Sequence, residues 1–326
     1  MGKITVLGTG GWGIALALAA YHAGHSVYMW SAFKDEADML KKNRQNERLL
    51  PGITIPEAIT ISDDITVAES SDITIIAVPS VAVSSVCNSL KSVVKRGIIV
   101  NVSKGFEPQT NCRLSEAISR ILPDDIVVVL SGPSHAEEVS RNIPTALVAA
   151  SRSLVGAQIV QTMLSTEFLR IYTSDDIIGV ELGGALKNVI AVCAGICDGL
   201  KLGDNTKAAL ITRGLSEMTR LGVCMGANER TFAGLTGIGD LVVTCTSRHS
   251  RNNRFGNLVG SGVDIKEALK SVGTVEGYFA SAIVHELSKQ YNVDLPLMNE
   301  CYYILYENRD VTSVVNSLMS RPMRME

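Results

Sequence analysis

Several kinds of residue that mark specialised proteins are scarce or scattered in this sequence. Aromatic residues make up 5% of the 326-residue chain, and 30 basic residues nearly balance 33 acidic ones, which leaves a net charge of −3. This balance argues against binding to nucleic acid or to an anionic membrane surface. The seven cysteines are odd in number and form no C-x-x-C pair, and the five histidines are equally dispersed. We therefore expect no disulfide framework and no metal site.

Long apolar runs and targeting signals are missing as well. The amino terminus reads as a short strand rather than as a signal peptide, and no uncharged apolar stretch reaches the roughly 18 residues that span a bilayer. We therefore expect a cytoplasmic protein with no stable membrane insertion. The sequence does not determine the oligomeric state, and a homodimer is compatible with it.

The first half of the chain alternates apolar strands with helical stretches. The strand candidates are Ile4–Leu7, Ser26–Trp30, Ile73–Val78, Gly97–Val102, Ile126–Leu130, Ala146–Ala149 and Leu169–Tyr172. Continuous rather than alternating apolar strands, separated by helices, are typical of a mostly parallel sheet that is covered on both faces. After about Ser174 the strand pattern stops, and the rest of the chain reads as helices. A ligand cleft is expected where the two parts meet.

A glycine-rich turn follows the first strand and opens the first helix. Gly8, Gly10 and Gly13 fit the pattern G-x-G-x-x-G, in which the glycines allow a tight turn, close approach of a pyrophosphate and close helix–strand packing. The pattern predicts a dinucleotide site at the helix amino terminus. We therefore expect an α/β fold with a Rossmann-like, mostly parallel, doubly wound sheet in residues 1–178, the NAD(P)-binding domain. An all-helical carboxyl-terminal domain that binds substrate and carries the catalytic groups should follow in residues 179–326.

The second strand lacks the acid that usually binds the adenosine ribose of NAD. Its end reads Trp30-Ser31-Ala32-Phe33-Lys34, with no acid before Asp35. Ser31 could contact a 2′-phosphate and Lys34 could balance its charge, which favours NADP over NAD, with NADPH as the cofactor for reduction. Because Asp35 is only a few residues late, NAD stays open as well.

Further polar groups follow the ends of later strands, where ligands bind in open parallel sheets. Pro79 would pass beside the nicotinamide half of a cofactor. Lys104 comes just after the fourth of the strand candidates, although an exposed lysine in a loop is the more common case. The segment 131–136, SGPSHA, offers hydroxyls and backbone donors.

Lys187 is the only basic residue between Glu181 and Lys201, in a run of small and apolar residues. An ammonium group in such surroundings is costly to desolvate, so it must be paired, neutralised or used. On this segment alone, a lysine that reaches the surface from an amphipathic helix is the more common case.

The helical half also offers a group that suits a small anion. Ser250 is placed as a helix N-cap before Arg251-Asn252-Asn253-Arg254, so that N–H groups and a guanidinium would converge. A basic helix start exposed to water is an equally good interpretation. Asp240 would be either a structural carboxylate or the partner that positions a lysine proton.

The longest specific pattern is Gly184-Ala185-Leu186-Lys187-Asn188-Val189-Ile190-Ala191, which continues through Gly195, Asp198-Gly199, Gly203 and Asn205. With it, the chain resembles the NAD(P)-dependent glycerol-3-phosphate dehydrogenases of the bacterial type over essentially its whole length. Supporting matches are Gly8–Gly13, Ser103-Lys104-Gly105, Ser131-Gly132-Pro133-Ser134, Gly239-Asp240-Leu241, Thr244-Cys245-Thr246, Ser250-Arg251-Asn252 and Val275-Glu276-Gly277-Tyr278. The helical domain would then resemble the carboxyl-terminal domain of 6-phosphogluconate dehydrogenase.

The resemblance implies reversible hydride transfer between NAD(P)H and dihydroxyacetone phosphate, which supplies sn-glycerol 3-phosphate for phospholipid synthesis. Lys187 would be the general acid and base, oriented by Asp240 and Asn188, with Thr244 as a further contributor. The substrate residues would be Lys104, Gly132, Ser134, Lys187, Asp240, Ser250, Arg251 and Asn252. The cofactor residues would be Gly8, Gly10, Gly11, Trp12, Gly13, Phe33, Lys34, Pro79, Lys104, Ala136, Arg251, Val275 and Glu276.

Two other functions share parts of this pattern. A β-hydroxyacid or 6-phosphogluconate-type dehydrogenase also places a lysine early in its helical domain. A non-catalytic dinucleotide sensor would need the glycine turn but not Lys187, Asp240 and Asn188 together.

Overall fold

The computed structural model describes residues 1–94 and 96–320. The chain divides into two units, Met1–Glu181 and a second unit that begins at Leu182. The first unit contains every strand of the described residues, and the second is helical.

A single sheet with the strand order β3-β2-β1-β4-β5-β6-β7-β8 organises the first unit. All neighbouring pairs of strands are parallel except β6 and β7, which are antiparallel. The strands are β1 Lys3–Leu7, β2 Ser26–Trp30, β3 Thr60–Ser62, β4 Ile73–Ile76, β5 Ile98–Asn101, β6 Ile126–Ser131, β7 Thr145–Ala150 and β8 Leu169–Ser174. The order reverses between β1 and β4, and this reversal opens a crevice at the carboxyl ends of the strands.

Helices cover both faces of this sheet. They are α1 Gly11–His22, α2 Lys34–Asn43, α3 Val83–Leu90, α4 Leu114–Ile121, α5 Ala136–Val139 and α6 Leu154–Leu164, with short 3-10 turns at Ile65–Ala68 and Ser80–Ala82. Adjacent strand residues enter different cores: Ile75 packs in one apolar cluster and Ile76 in the other. Strands β4 and β5 are buried along their full length, which explains their continuous apolar sequences.

The second unit is built around the long helix α7, Ile177–Gly199, whose first residues belong to the first unit. The remaining helices are α8 Asp204–Cys224, α9 Glu229–Phe232, α10 Asp240–Thr246, α11 Arg251–Gly260, α12 Ile265–Val272, α13 Glu276–Gln290, α14 Pro296–Glu307 and α15 Val311–Met319. A π-helical turn, Leu235–Gly239, leads directly into α10.

Helix α7 is the one helix of the described residues that is long and apolar enough to cross a bilayer. The mean hydropathy of an 18-residue stretch of this helix reaches 1.6, but 94% of that stretch is buried inside the protein. Every residue from 181 to 197 is buried. The helix is therefore the core of its unit, and Lys187 lies in it.

The sequence analysis predicted every strand of the sheet except β3. The sequence analysis found neither β3 nor α2, both of which follow β2 in the chain. Strand β3 has three residues at the edge of the sheet. Helix α2, KDEADMLKKN, buries only Ala37 and Leu40, so its apolar pattern is too sparse to read.

Candidate active site

The glycine turn between β1 and α1 has the shape that a bound dinucleotide needs. Gly8 has φ +120°, and a Cβ there would lie 2.3 Å from the carbonyl oxygen of Ala77. A Cβ on Gly13 would lie 2.2 Å from the carbonyl oxygen of Gly8. A Cβ on Gly10 would instead meet no described atom within 4 Å. Gly10 therefore faces open space, where a pyrophosphate could approach the backbone.

The amino terminus of α1 carries no side-chain cap among the described residues, and its N-cap is Gly10. The first hydrogen bond of the helix runs from Ile14 N–H to the Gly10 carbonyl, so the earlier N–H groups have no acceptor within the helix. Such N–H groups and the helix dipole suit a phosphate. Ala136 comes close to this turn, 3.5 Å from where a Cβ on Gly11 would lie, and Trp12 is half-buried beside it. The turn therefore fits NAD or NADP.

The end of β2 differs from the sequence expectation. Ser31 is buried, and its hydroxyl donates to Glu36 Oε2 at 2.7 Å while it accepts from Phe33 N–H at 3.2 Å. The single donor of the Ser31 hydroxyl is therefore used within the protein, whereas the sequence analysis expected this hydroxyl to contact a 2′-phosphate. Lys34 is exposed as the first residue of α2, and Phe33 is 71% exposed.

Lys104 is part of a group at the carboxyl ends of β5 and β6. Its ammonium donates to the Gly132 carbonyl at 3.0 Å and to Ser134 Oγ at 3.2 Å. The neighbouring Ser103 donates to the Val78 carbonyl at 2.6 Å, which fixes the backbone beside Lys104. The structure thus gathers Lys104, Gly132 and Ser134 and holds the lysine in place. Pro79 is exposed near the end of β4.

Lys187 is 5% exposed and is held by two side chains of α10. Its Nζ lies 2.5 Å from Asp240 Oδ1 and 2.7 Å from Thr244 Oγ1. Thr244 donates its own proton to the Asp240 backbone carbonyl at 2.6 Å, so its oxygen is turned to accept from the lysine. Asp240 is 1% exposed. The structure thus brings together a buried amine, a buried carboxylate and an oriented hydroxyl.

The local sequence explains how α7 and α10 come so close. A Cβ on Gly183 would lie 2.3 Å from the carbonyl oxygen of Thr236, so only glycine lets α7 pack against the π-helical turn that positions Asp240.

Burial raises the pKa of the nearby Cys245 thiol to about 12. This thiol therefore stays protonated at neutral pH and does not compete with Lys187 as a base.

Asn188 belongs to a second buried chain of hydrogen bonds. Its Oδ1 accepts from Asn252 Nδ2 at 2.9 Å, and Asn252 Oδ1 accepts from Gly277 N–H at 2.9 Å. A Cβ on Gly277 would lie 2.4 Å from the Asn188 carbonyl oxygen, so the start of α13 packs directly on α7. The sequence analysis gave Gly277 only as part of the motif Val275-Glu276-Gly277-Tyr278 and predicted no contact for it.

The start of α11 forms as the sequence predicts. Ser250 Oγ accepts from Asn253 N–H at 3.2 Å and caps the helix. Arg251, the first residue of the helix, is exposed, while Asn252 is buried. The side chain of Asn253 donates to Asp198 Oδ2 at 3.1 Å and to the Cys245 carbonyl at 3.0 Å. Arg251 is thus presented to solvent from a fixed helix start, together with first-turn N–H groups.

Val275 and Glu276 lie at the amino terminus of α13, as N-cap and first residue. Val275 is fully buried, whereas Glu276 is half-buried. The sequence analysis did not consider Glu36 as a possible site residue. The sequence did show it as an acidic residue in the first turn of α2, the helix that follows β2.

Comparison with family models gives one family for both parts of the chain. The model described as the NAD-dependent glycerol-3-phosphate dehydrogenase N-terminus matches residues 3–156, and the corresponding C-terminus model matches residues 176–316. Glycerol-3-phosphate dehydrogenase (NAD(P)+) of Fusobacterium nucleatum is 48% identical over 331 residues, covering 100% of this chain and 99% of the relative. The enzyme of the same name from Desulfitobacterium hafniense is 46% identical over 328 residues, covering 100% and 93%. The crystal structure of glycerol-3-phosphate dehydrogenase from Coxiella burnetii superposes with a TM-score of 0.94 at 39% identity, covering 98% of this chain and 99% of that one.

Proposed function

Because this chain belongs to the NAD-dependent glycerol-3-phosphate dehydrogenase family, we propose that it interconverts dihydroxyacetone phosphate and sn-glycerol 3-phosphate. The single observation that carries this proposal is the buried Lys187, held at hydrogen-bond distance by Asp240 and Thr244. A supply of glycerol 3-phosphate for phospholipid synthesis would be its role, with the cytoplasm as its location.

The first unit holds the pyrophosphate of the cofactor in this proposal, and the cofactor residues come from both units. The glycine turn and the first N–H groups of α1 hold the pyrophosphate, with Trp12 and Ala136 beside them. The full cofactor set proposed is Gly8, Gly10, Gly11, Trp12, Gly13, Phe33, Lys34, Pro79, Lys104, Ala136, Arg251, Val275 and Glu276. A bound nicotinamide dinucleotide supplies or accepts the hydride.

Lys187 moves the proton. When the substrate ketone is reduced, C2 gains a hydride and negative charge develops on its oxygen, so an ammonium group that donates to this oxygen stabilises and then protonates it. In the opposite direction the neutral amine removes the hydroxyl proton. Asp240 and Thr244 hold Nζ in one place through both directions. Asn188 positions Asn252 through their hydrogen bond.

The substrate is an anion, and Arg251 is proposed to bind its phosphate. A guanidinium at a capped helix start offers parallel N–H donors in addition to the N–H groups of the first helical turn. Ser250 fixes that helix start. Lys104, Gly132 and Ser134 hold the rest of the substrate in this proposal, together with Lys187, Asp240 and Asn252.

A homodimer is the assembly that we propose. Strand β8 lies at an edge of the sheet and exposes Tyr172, and the neighbouring helix α6 exposes Leu154 and Val155. Exposed apolar side chains next to an open sheet edge suit a contact between two copies. Light scattering on the purified protein should give twice the mass of one chain; the mass of a single chain would contradict the dimer.

The proposed reaction is tested by initial rates of dihydroxyacetone phosphate reduction, with NADH and NADPH in parallel. Loss of nicotinamide absorbance that depends on both substrates is the expected result. A matched panel of 3-hydroxyacids and 6-phosphogluconate, assayed in the oxidative direction, covers the other dehydrogenases of similar architecture. Turnover of one of those compounds but not of the triose phosphate would overturn the proposal, and so would binding of dinucleotide without any turnover.

A further inference from the structure

A groove of about 910 Å³ lies beside the first turn of α2 in the first unit. Its lining includes Phe33 and Glu36 from the segment after β2, and Asn46, Glu47 and Arg48 from the segment after α2. The Asn46 side chain donates to the Thr9 carbonyl at 3.4 Å, so the groove adjoins the glycine turn. In a sheet of this order, the adenosine end of a dinucleotide lies at the carboxyl end of β2.

Glu36 is fixed at this place by two buried hydroxyls. Its Oε2 accepts from Thr9 Oγ1, within the glycine turn, and from Ser31 Oγ, at the end of β2, each at 2.7 Å. Thr9 is 3% exposed and Ser31 is 1% exposed. Over the part of the chain that the structure describes, no group donates to the second oxygen of this carboxylate. A half-buried carboxylate is therefore held in one position with an acceptor to spare.

The side chains that line the groove carry a net negative charge. Three of them are acidic, Asp35, Glu36 and Glu47, and one is basic, Arg48, which leaves two negative charges in excess. A ribose 2′-hydroxyl can donate to a carboxylate, whereas a 2′-phosphate brings about two negative charges and no strong donor. Lys34, the cation expected to balance such a phosphate, stands exposed at the first residue of α2.

We propose that Glu36 binds the adenosine ribose through its 2′-hydroxyl and excludes a 2′-phosphate, so that NAD(H) is the preferred cofactor. This assignment rests on the proposed dehydrogenase function, since it concerns the dinucleotide that the first unit binds. It places the ribose acid in the first turn of the helix after β2, from which the side chain reaches back to the strand end.

The test uses redox-inert halves of the two cofactors. Calorimetry measures the dissociation constants of ADP-ribose and of 2′-phospho-ADP-ribose for the wild type, Glu36→Gln and Asp35→Asn. Asp35→Asn is the matched control, because it removes the same charge one residue away without touching Thr9 or Ser31. We expect the wild type to bind ADP-ribose at least about tenfold more tightly than the phosphorylated compound, the size of one charged hydrogen bond. Glu36→Gln should reduce that ratio about tenfold, and Asp35→Asn should change it far less.

Tighter or equal binding of 2′-phospho-ADP-ribose by the wild type would overturn the assignment, even if Glu36→Gln failed to fold. An equal loss of preference in the two variants would overturn it as well, because the effect would then be one of overall charge. If the wild type binds neither compound, the dinucleotide function itself fails, and the assignment with it.

Discussion

At the scale of single residues, the central feature is a buried ion pair between Lys187 and Asp240. Taking two charges out of water costs several kcal/mol for each ion, and mutual attraction offsets this only with good geometry and further hydrogen bonds. Here Thr244 supplies such a bond, and Asn188 takes part in a separate network with Asn252. An ion pair with only a structural role could have been replaced by two well-packed apolar residues without loss of stability. The presence of a charged lysine in a buried helix therefore favours a chemical role for Lys187.

Arg251 is the residue through which substrate charge should be recognised. We expect Arg251→Ala to raise the KM for dihydroxyacetone phosphate about tenfold to a hundredfold, because a charged hydrogen bond is lost. The dissociation constant for dinucleotide should change less, because Arg251 is only one of the proposed cofactor residues. Steady-state kinetics measures the KM, and calorimetry with the dinucleotide measures the dissociation constant.

The matched control is Arg254→Ala, an exposed arginine on the same helix, three residues further on. It should leave KM within about twofold of the wild type, since it removes the same charge away from the helix start. An unchanged KM in Arg251→Ala would mean that the phosphate binds elsewhere.

At the scale of elements, two glycines of the turn between β1 and α1 serve different purposes: Gly13 is needed for packing and Gly10 for binding the cofactor. Gly13→Ala places a Cβ against the Gly8 carbonyl, so we expect a loss of stability of about 1–3 kcal/mol, as for overpacking. Gly10→Ala meets no described atom, so it should leave stability nearly unchanged and weaken ADP-ribose binding. Urea unfolding and calorimetry on both variants measure the two effects. Normal ADP-ribose binding by Gly10→Ala would contradict the placement of the pyrophosphate.

Helices α8 and α14 are joined by a carboxyl group whose titration should affect stability. Glu217 accepts from the backbone N–H groups of Leu297 and Met298 at 2.8 and 3.1 Å, and burial raises its pKa to about 7. Since an exposed glutamate titrates near 4.5, the folded protein binds this proton more tightly than the unfolded chain does. The resulting stability is fully present below about pH 4.5 and is lost as the pH rises through about 7.

We expect the wild type to lose stability relative to Glu217→Gln between pH 5 and pH 8, by at most on the order of 3 kcal/mol. Unfolding midpoints in urea, measured across this range, test the expectation. Glu307→Gln, an exposed change at the end of α14, is the control and should follow the wild type. A parallel pH dependence in the wild type and Glu217→Gln would show that Glu217 does not titrate in this window.

Sequence patterns predicted elements best where a strand is a mostly apolar run. Strands β1, β2, β5, β6 and β7 match the predicted segments to within one residue at either end. Strand β3 and helix α2 were missed because their few buried positions give no period. The missed helix carries Glu36, and this is why the prediction assigned the ribose end to Ser31 and Lys34 instead.

At the scale of the whole molecule, long sequence motifs predicted the family and which residues gather within each unit. Lys187, Asp240 and Thr244 are brought together, as are Lys104, Gly132 and Ser134. The sequence could not predict side-chain geometry: which oxygen of Asp240 faces the amine, which side chain donates to Asn188, and which hydroxyls donate to Glu36. Those facts depend on close backbone contacts such as that between Gly183 and Thr236, which have no pattern along the chain.

The central claim is that Lys187 transfers the proton in dihydroxyacetone phosphate reduction. The most direct measurement is kcat for Lys187→Ala beside the wild type, with the exposed Lys266→Ala as the control, ADP-ribose binding as the check on the cofactor site and urea unfolding as the check on folding. We predict that Lys187→Ala binds ADP-ribose normally and loses at least about a hundredfold in kcat, while Lys266→Ala keeps the wild-type value. A folded Lys187→Ala with near-normal kcat would contradict the account.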